Sequence, residues 1–100
     1  MRVLDELERW YEAHAPALEA DGLSPGFGRS VGDRPSPAAW VSLESSVWTC
    51  ELRVWESGEA ELGATRRGSG RAEVNEHHDI ETGEDLERVL ARLKQLVGSE

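Results

Sequence analysis

At 100 residues, 38% hydrophobic and 31% charged, the chain holds enough apolar material for one core and too little length for two, so a single domain over 1–100 is expected. A formal net charge of -9 argues against nucleic acid and anionic membrane as partners and favours a basic protein. No apolar run has the length of a membrane span, charge alternates with leucine where a signal peptide would be apolar, and Cys50 has no second cysteine to pair with; a cytoplasmic protein is expected.

Leu4, Leu7, Tyr11, His14 and Leu18 follow a three-four spacing with Val3 and Trp10 beside them, which predicts an amphipathic helix over roughly residues 3–21. Asp21-Gly22 supplies its stop, and Pro16 is expected to kink it or split off its last turn. From Leu23 to Pro37 the density of glycine and proline reads as a long connection, within which Phe27, Arg29 and Val31 form at most a short edge strand.

The period then changes from 3.6 to 2. Val41 and Leu43 share one side of a strand, and Trp48, Cys50, Leu52 and Val54 one side of the next, with a turn at Ser45-Ser46. A three-residue loop, Glu56-Ser57-Gly58, sets Val54 opposite Ala60, Leu52 opposite Leu62 and Arg53 opposite Glu61 as a favourable charge pair. A two-residue Ser57-Gly58 turn would oppose Val54 to Glu61, and the first register is preferred. Residues 66–71 form a flexible tip leading to a strand with Ala72 and Val74 inward. Thr82 caps a final helix, with Asp85 where a capping box prefers Glu. Leu86, Val89, Leu90, Leu93, Leu96 and Val97 make its apolar face and Gly98 ends it. The predicted fold is α+β: an antiparallel β-meander of about four strands, with an N-terminal and a C-terminal helix packed on one face.

Few residues suggest chemistry. His77 and His78 lie in the one cluster with metal-ligand residue types, but neighbours on a strand point to opposite faces, so they share a metal only if the strand has ended. Cys50 falls on the inward phase, where thiols are usually inert, and no phosphate-binding glycine loop of recognised spacing occurs. No catalytic residue, metal or cofactor is assigned, and an enzyme is not expected.

The tryptophans say more. Trp48 faces inward and Trp10 flanks the helical stripe, whereas Trp40 and Trp55 take the opposite phase of their strands. Trp55 is expected to share the outer face with Glu51, Arg53, Glu59, Glu61, Glu73, Asn75 and His77. An aromatic anchor in an acidic field suits a basic protein partner, and Trp55, Glu51, Arg53, Glu59, Glu61, Glu73 and His77 are the candidate contact residues. The competing arrangement packs Trp40 and Trp55 under the 23–37 connection.

The segments 37–45 (PAAWVSLES), 52–62 (LRVWESGEAEL) and 75–78 (NEHH) resemble the TriTu-type immunity proteins that accompany bacterial polymorphic toxins. The likeness extends to the Trp10-Tyr11 pair and to the closing helix at Asp85-Leu86. It implies stoichiometric binding of a cognate protein toxin by occlusion and carries over no catalytic residue. An acidic secretion chaperone or adaptor is the alternative, and a metal-dependent enzyme built on His77-His78 is a third. A monomer and a homodimer both fit the sequence.

Overall fold

The computed structural model of the chain describes residues 2–30 and 36–98. Its elements run α1 (Val3–Ala20), β1 (Ser24–Arg29), β2 (Ala38–Glu44), β3 (Trp48–Trp55), β4 (Glu59–Arg66), β5 (Ala72–Asp79) and α2 (Gly83–Val97). Among the described residues the strands form one antiparallel sheet in sequential order, with five members where the periodicity predicts about four. The additional member is β1, drawn from the stretch that reads as a connection. Pro25, Gly26 and Gly28 have little strand propensity, so pairing with β2 must impose the conformation, with Phe27 opposite Val41 and Arg29 opposite Ala39. Val31, the third residue of the expected edge strand, lies outside the described residues.

α1 buries Val3, Leu4, Leu7 and Leu18. It stops as the Asp21-Gly22 pair predicts: the Leu23 N–H donates to the Leu18 carbonyl (3.1 Å) and the Gly22 N–H to the Glu19 carbonyl (3.0 Å), with Gly22 at φ 88°. Pro16 neither ends nor splits the helix. Pro16 and Glu12 are both exposed, so the Glu12 carbonyl that loses its helical donor lies on the solvent side. His14 also departs from expectation. It is exposed, stacked on Trp10 at 4.7 Å with Nδ1 2.8 Å from the Trp10 carbonyl, while Tyr11 and Leu18 carry the stripe. Tyr11 tilts against Phe27 of β1 at 5.4 Å, and Arg29 Nη1 reaches Asp5 (2.8 Å) and Glu8 (3.1 Å), so an aromatic contact and an ion pair tie α1 to that strand.

α2 opens with a capping box built on Asp rather than Glu. The Thr82 hydroxyl accepts from the Asp85 N–H (3.2 Å), and the Asp85 carboxylate accepts from the N–H groups of Thr82 (3.1 Å) and Glu81 (2.9 Å). Those backbone donors hold the Asp85 carboxyl below its usual range. All six expected apolar positions of α2 are buried. Both helices lie on the inner sheet face made by Ala39, Val41 and Leu43 of β2, Cys50, Leu52 and Val54 of β3, and Ala60, Leu62 and Ala64 of β4. Burial pushes the Cys50 thiol up to about 11. No helix of the described residues is long and apolar enough to cross a membrane.

The β3-β4 register matches the three-residue loop: Val54 opposes Ala60, Leu52 opposes Leu62, and Gly58 stands at φ 97°. The β2-β3 turn centres on Ser46 and Val47, one residue later than expected. The Ser45 hydroxyl accepts from the N–H groups of Val47 and Trp48 and fixes that position. Between β4 and β5 the register shifts at Ala64/Thr65, a bulge that puts Val74 opposite Ala64 but Ala72 opposite Thr65. Val74 therefore packs on the core as expected, whereas Ala72 is exposed.

The inward side of β5 is Val74, Glu76 and His78, which is poor in apolar surface. An ion pair helps hold this strand to α2 instead: Arg92 donates to Glu76 through Nη2 (2.7 Å) and Nε (3.1 Å), and His78 Nε2 lies 3.0 Å from the same carboxylate.

Gly58 meets two demands, a left-handed backbone and close approach of the Ile80 carbonyl to where a Cβ would stand. Gly58→Ala is expected to lower the unfolding free energy by about 2 kcal/mol or more in chemical denaturation. The Arg92 contact, followed by that of His78, holds the Glu76 carboxyl below its ordinary value. A depressed folded-state value means the stabilisation is complete above the unfolded value of about 4.3 and is lost as pH falls through the lower folded one. Arg92→Met is therefore expected to cost roughly 1 kcal/mol in urea titrations near neutral pH. The difference from the parent should shrink toward zero below about pH 4.

Candidate partner-binding face

Alternation along β2, β3 and β4 sends every second side chain away from the helices, and the helices cover only the inner face. The outer face carries Trp40 and Ser42 from β2, Thr49, Glu51, Arg53 and Trp55 from β3, Glu59, Glu61, Gly63 and Thr65 from β4, and Asn75, His77 and Asp79 from β5. Among the described residues no element lies across it.

Six of the seven candidate contact residues take this face together, and Glu73 is the exception. It stands at the bulge, where its carboxylate meets Arg66 Nε at 2.8 Å. Arg66 in turn lies over the Trp48 ring at 4.5 Å, on the helix side of the sheet. Strict alternation cannot reveal this, because one extra residue reverses the phase.

Arg53 also behaves differently from expectation. The register does place it opposite Glu61, yet its guanidinium pairs with Glu51 along its own strand (3.1 Å) and lies over the Trp40 ring at 4.5 Å. Trp40 in turn packs against Gly28 of β1, its indole occupying the space that a Cβ there would need. Gly28 is thus a part of the face that sequence reasoning missed; its pairing opposite a tryptophan is visible only once β1 is known to be a strand. Trp40 is half-buried, with β1 beside it as an edge strand, while residues 31–35 of the expected 23–37 cover lie outside the described residues.

With Arg53 engaged by Glu51, the carboxylates of Glu59 and Glu61 have no ion-pair partner among the described residues. They sit next to a half-buried Trp55, which borders a hollow of about 400 Å³ with Ser36, Pro37, Glu56, Ser57 and Glu59. A second, shallower depression of about 250 Å³ lies further along the same strands, lined by Thr49, Glu51, Arg53, Glu61, Thr65 and Asn75 around Gly63. Gly63 is the floor of this depression because it lacks a side chain in the middle of an outward row. His77 and His78 do not converge. The strand runs on to Asp79, so His77 meets Asp79 on the outer face (3.2 Å) while His78 turns toward α2.

An α+β fold whose two helices close one sheet face, and whose other face presents tryptophans beside carboxylates that have no ion-pair partner among the described residues, belongs to the class of small two-layer proteins. The family described as Immunity protein TriTu matches residues 5–96, and the chain belongs to that family. Its role is therefore immunity, and its partner is a toxin. Comparison with curated proteins gives no match.

A Cβ at position 63 would meet only ordinary van der Waals contact, 3.7 Å from the Val74 carbonyl oxygen, and the backbone there is unstrained. Gly63→Val is expected to leave thermal stability unchanged or raise it by up to about 1 kcal/mol while filling the depression. A marked loss of stability on calorimetry would show that the glycine serves the fold instead.

Proposed function

We propose that this chain neutralises a cognate polymorphic toxin by direct occlusion, docking its outer sheet face on a basic surface of the toxin in the cytoplasm of the producing cell. The observation that carries this reading is the pair of carboxylates, Glu59 and Glu61, that have no ion-pair partner among the described residues and stand beside the half-buried Trp55 on a face that no helix covers. The net charge of -9 would speed encounter with a cationic protein, and desolvation of Trp55 in the complex would slow its release. Glu51, Arg53 and His77 complete the proposed contact set. Glu73, engaged by Arg66, stands at its margin.

Co-expression with the product of the neighbouring reading frame tests the role itself. Rescue of growth is expected; improved solubility or secretion of that product without rescue would favour a chaperone. The face is tested by Trp55→Ala combined with Glu59→Lys and Glu61→Lys. This triple variant should keep the parent circular dichroism spectrum and melting profile while losing about 2 kcal/mol or more of toxin affinity, with a reduced association rate at low salt. Unchanged affinity in a folded triple variant would place the docking surface elsewhere.

A further inference from the structure

The two edges of the sheet differ. The Ser30 N–H bonds the Ala38 carbonyl (2.8 Å), which sets the phase of β1: its even-numbered residues face β2, and Pro25, Phe27 and Arg29 aim their backbone groups outward. Pro25 has no N–H to offer, so this edge is interrupted as a template. At the other edge the Ile80 N–H bonds the Gly58 carbonyl (2.7 Å), so residues 74, 76 and 78 face β4 and the N–H and C=O groups of Asn75, His77 and Asp79 point away from the sheet. Among the described residues nothing caps them, and this stretch of β5 holds no proline or glycine. The side chains of the same three residues lie on the outer face, so the open backbone edge and the acidic surface form one continuous site.

We infer that β5 accepts an extended basic segment of the toxin as a sixth strand, bonded through the backbone of Asn75, His77 and Asp79, with its cationic side chains lying toward Asp79, Glu59 and Glu61; this rests on the immunity reading above. Charge selects the occupant. A second copy of this chain would bring together two bodies of -9 each, whereas a cationic strand meets Asp79 at the edge and Glu59 and Glu61 beside it. His77 and Asp79 stand 3.2 Å apart on this edge, side by side on the outer face.

The test uses the product of the neighbouring reading frame as the probe, with two independent readouts. His77→Pro removes one outward N–H and no bond to β4, whereas His77→Thr changes the side chain and keeps the backbone donor. The proline variant is expected to bind about tenfold more weakly or worse, and the threonine variant less than about threefold more weakly, both with the parent circular dichroism spectrum. Should the proline variant misfold, hydrogen exchange on the unaltered protein decides. The amides of Asn75, His77 and Asp79 should exchange quickly in the free chain and be slowed about a hundredfold in the complex. Tight binding with those amides unprotected would overturn the strand addition and leave the immunity reading standing. Absence of binding together with absence of growth rescue would remove the immunity reading itself. Concentration-dependent protection of the same amides in the chain alone, with a dimer in sedimentation, would assign the edge to self-association and overturn the proposal.

Discussion

The contact between α2 and the inner face of β3 and β4 is the interaction on which the rest depends. Leu86, Val89, Leu90, Leu93, Leu96 and Val97 close over a surface that includes Leu52, Val54 and Leu62, and each such burial contributes on the order of 2 kcal/mol. A helix of 15 residues is marginal alone in water, so packing rather than propensity maintains it. Because α1 docks on the same side, over β1 to β3, the chain has committed both of its helices to one face. The opposite face is left to side chains that tolerate water, and exposure there follows from the architecture.

That arrangement explains why polar chemistry gathers where it does. The described residues include no buried polar or charged side chain, so charge is confined to the outer face, the helix surfaces and the margins of the sheet. At the margins ion pairs supplement apolar packing: Arg29 links β1 to α1, and Arg92 links β5 to α2. On the outer face the pairing is incomplete. Arg53 is held between Glu51 and Trp40, which leaves Glu59 and Glu61 beside Trp55 without an ion-pair partner among the described residues.

Much of this was legible in the sequence, and the reasons are local. The helical stripe of α2, the inward row of β3 and the left-handed Gly58 each impose their geometry through neighbours along the chain, so period and turn chemistry were enough. β1 was not legible as a full strand, because its conformation comes from pairing with β2 and its own residues argue for a turn. The positions of Ala72 and Glu73 depended on a bulge, for which alternation has no signal. Arg53 was placed on the correct face but with the wrong partner: register fixes which residues oppose one another, while the rotamer of a long cation follows whichever carboxylate and ring lie nearest.

The unequal edges have a consequence for the protein at high concentration. A sheet open at both sides can stack head to tail without limit, each copy offering its last strand to the first strand of the next, which is how filaments grow. Here the first strand carries a proline at a position where that growth would need a donor, which interrupts the pairing at that edge.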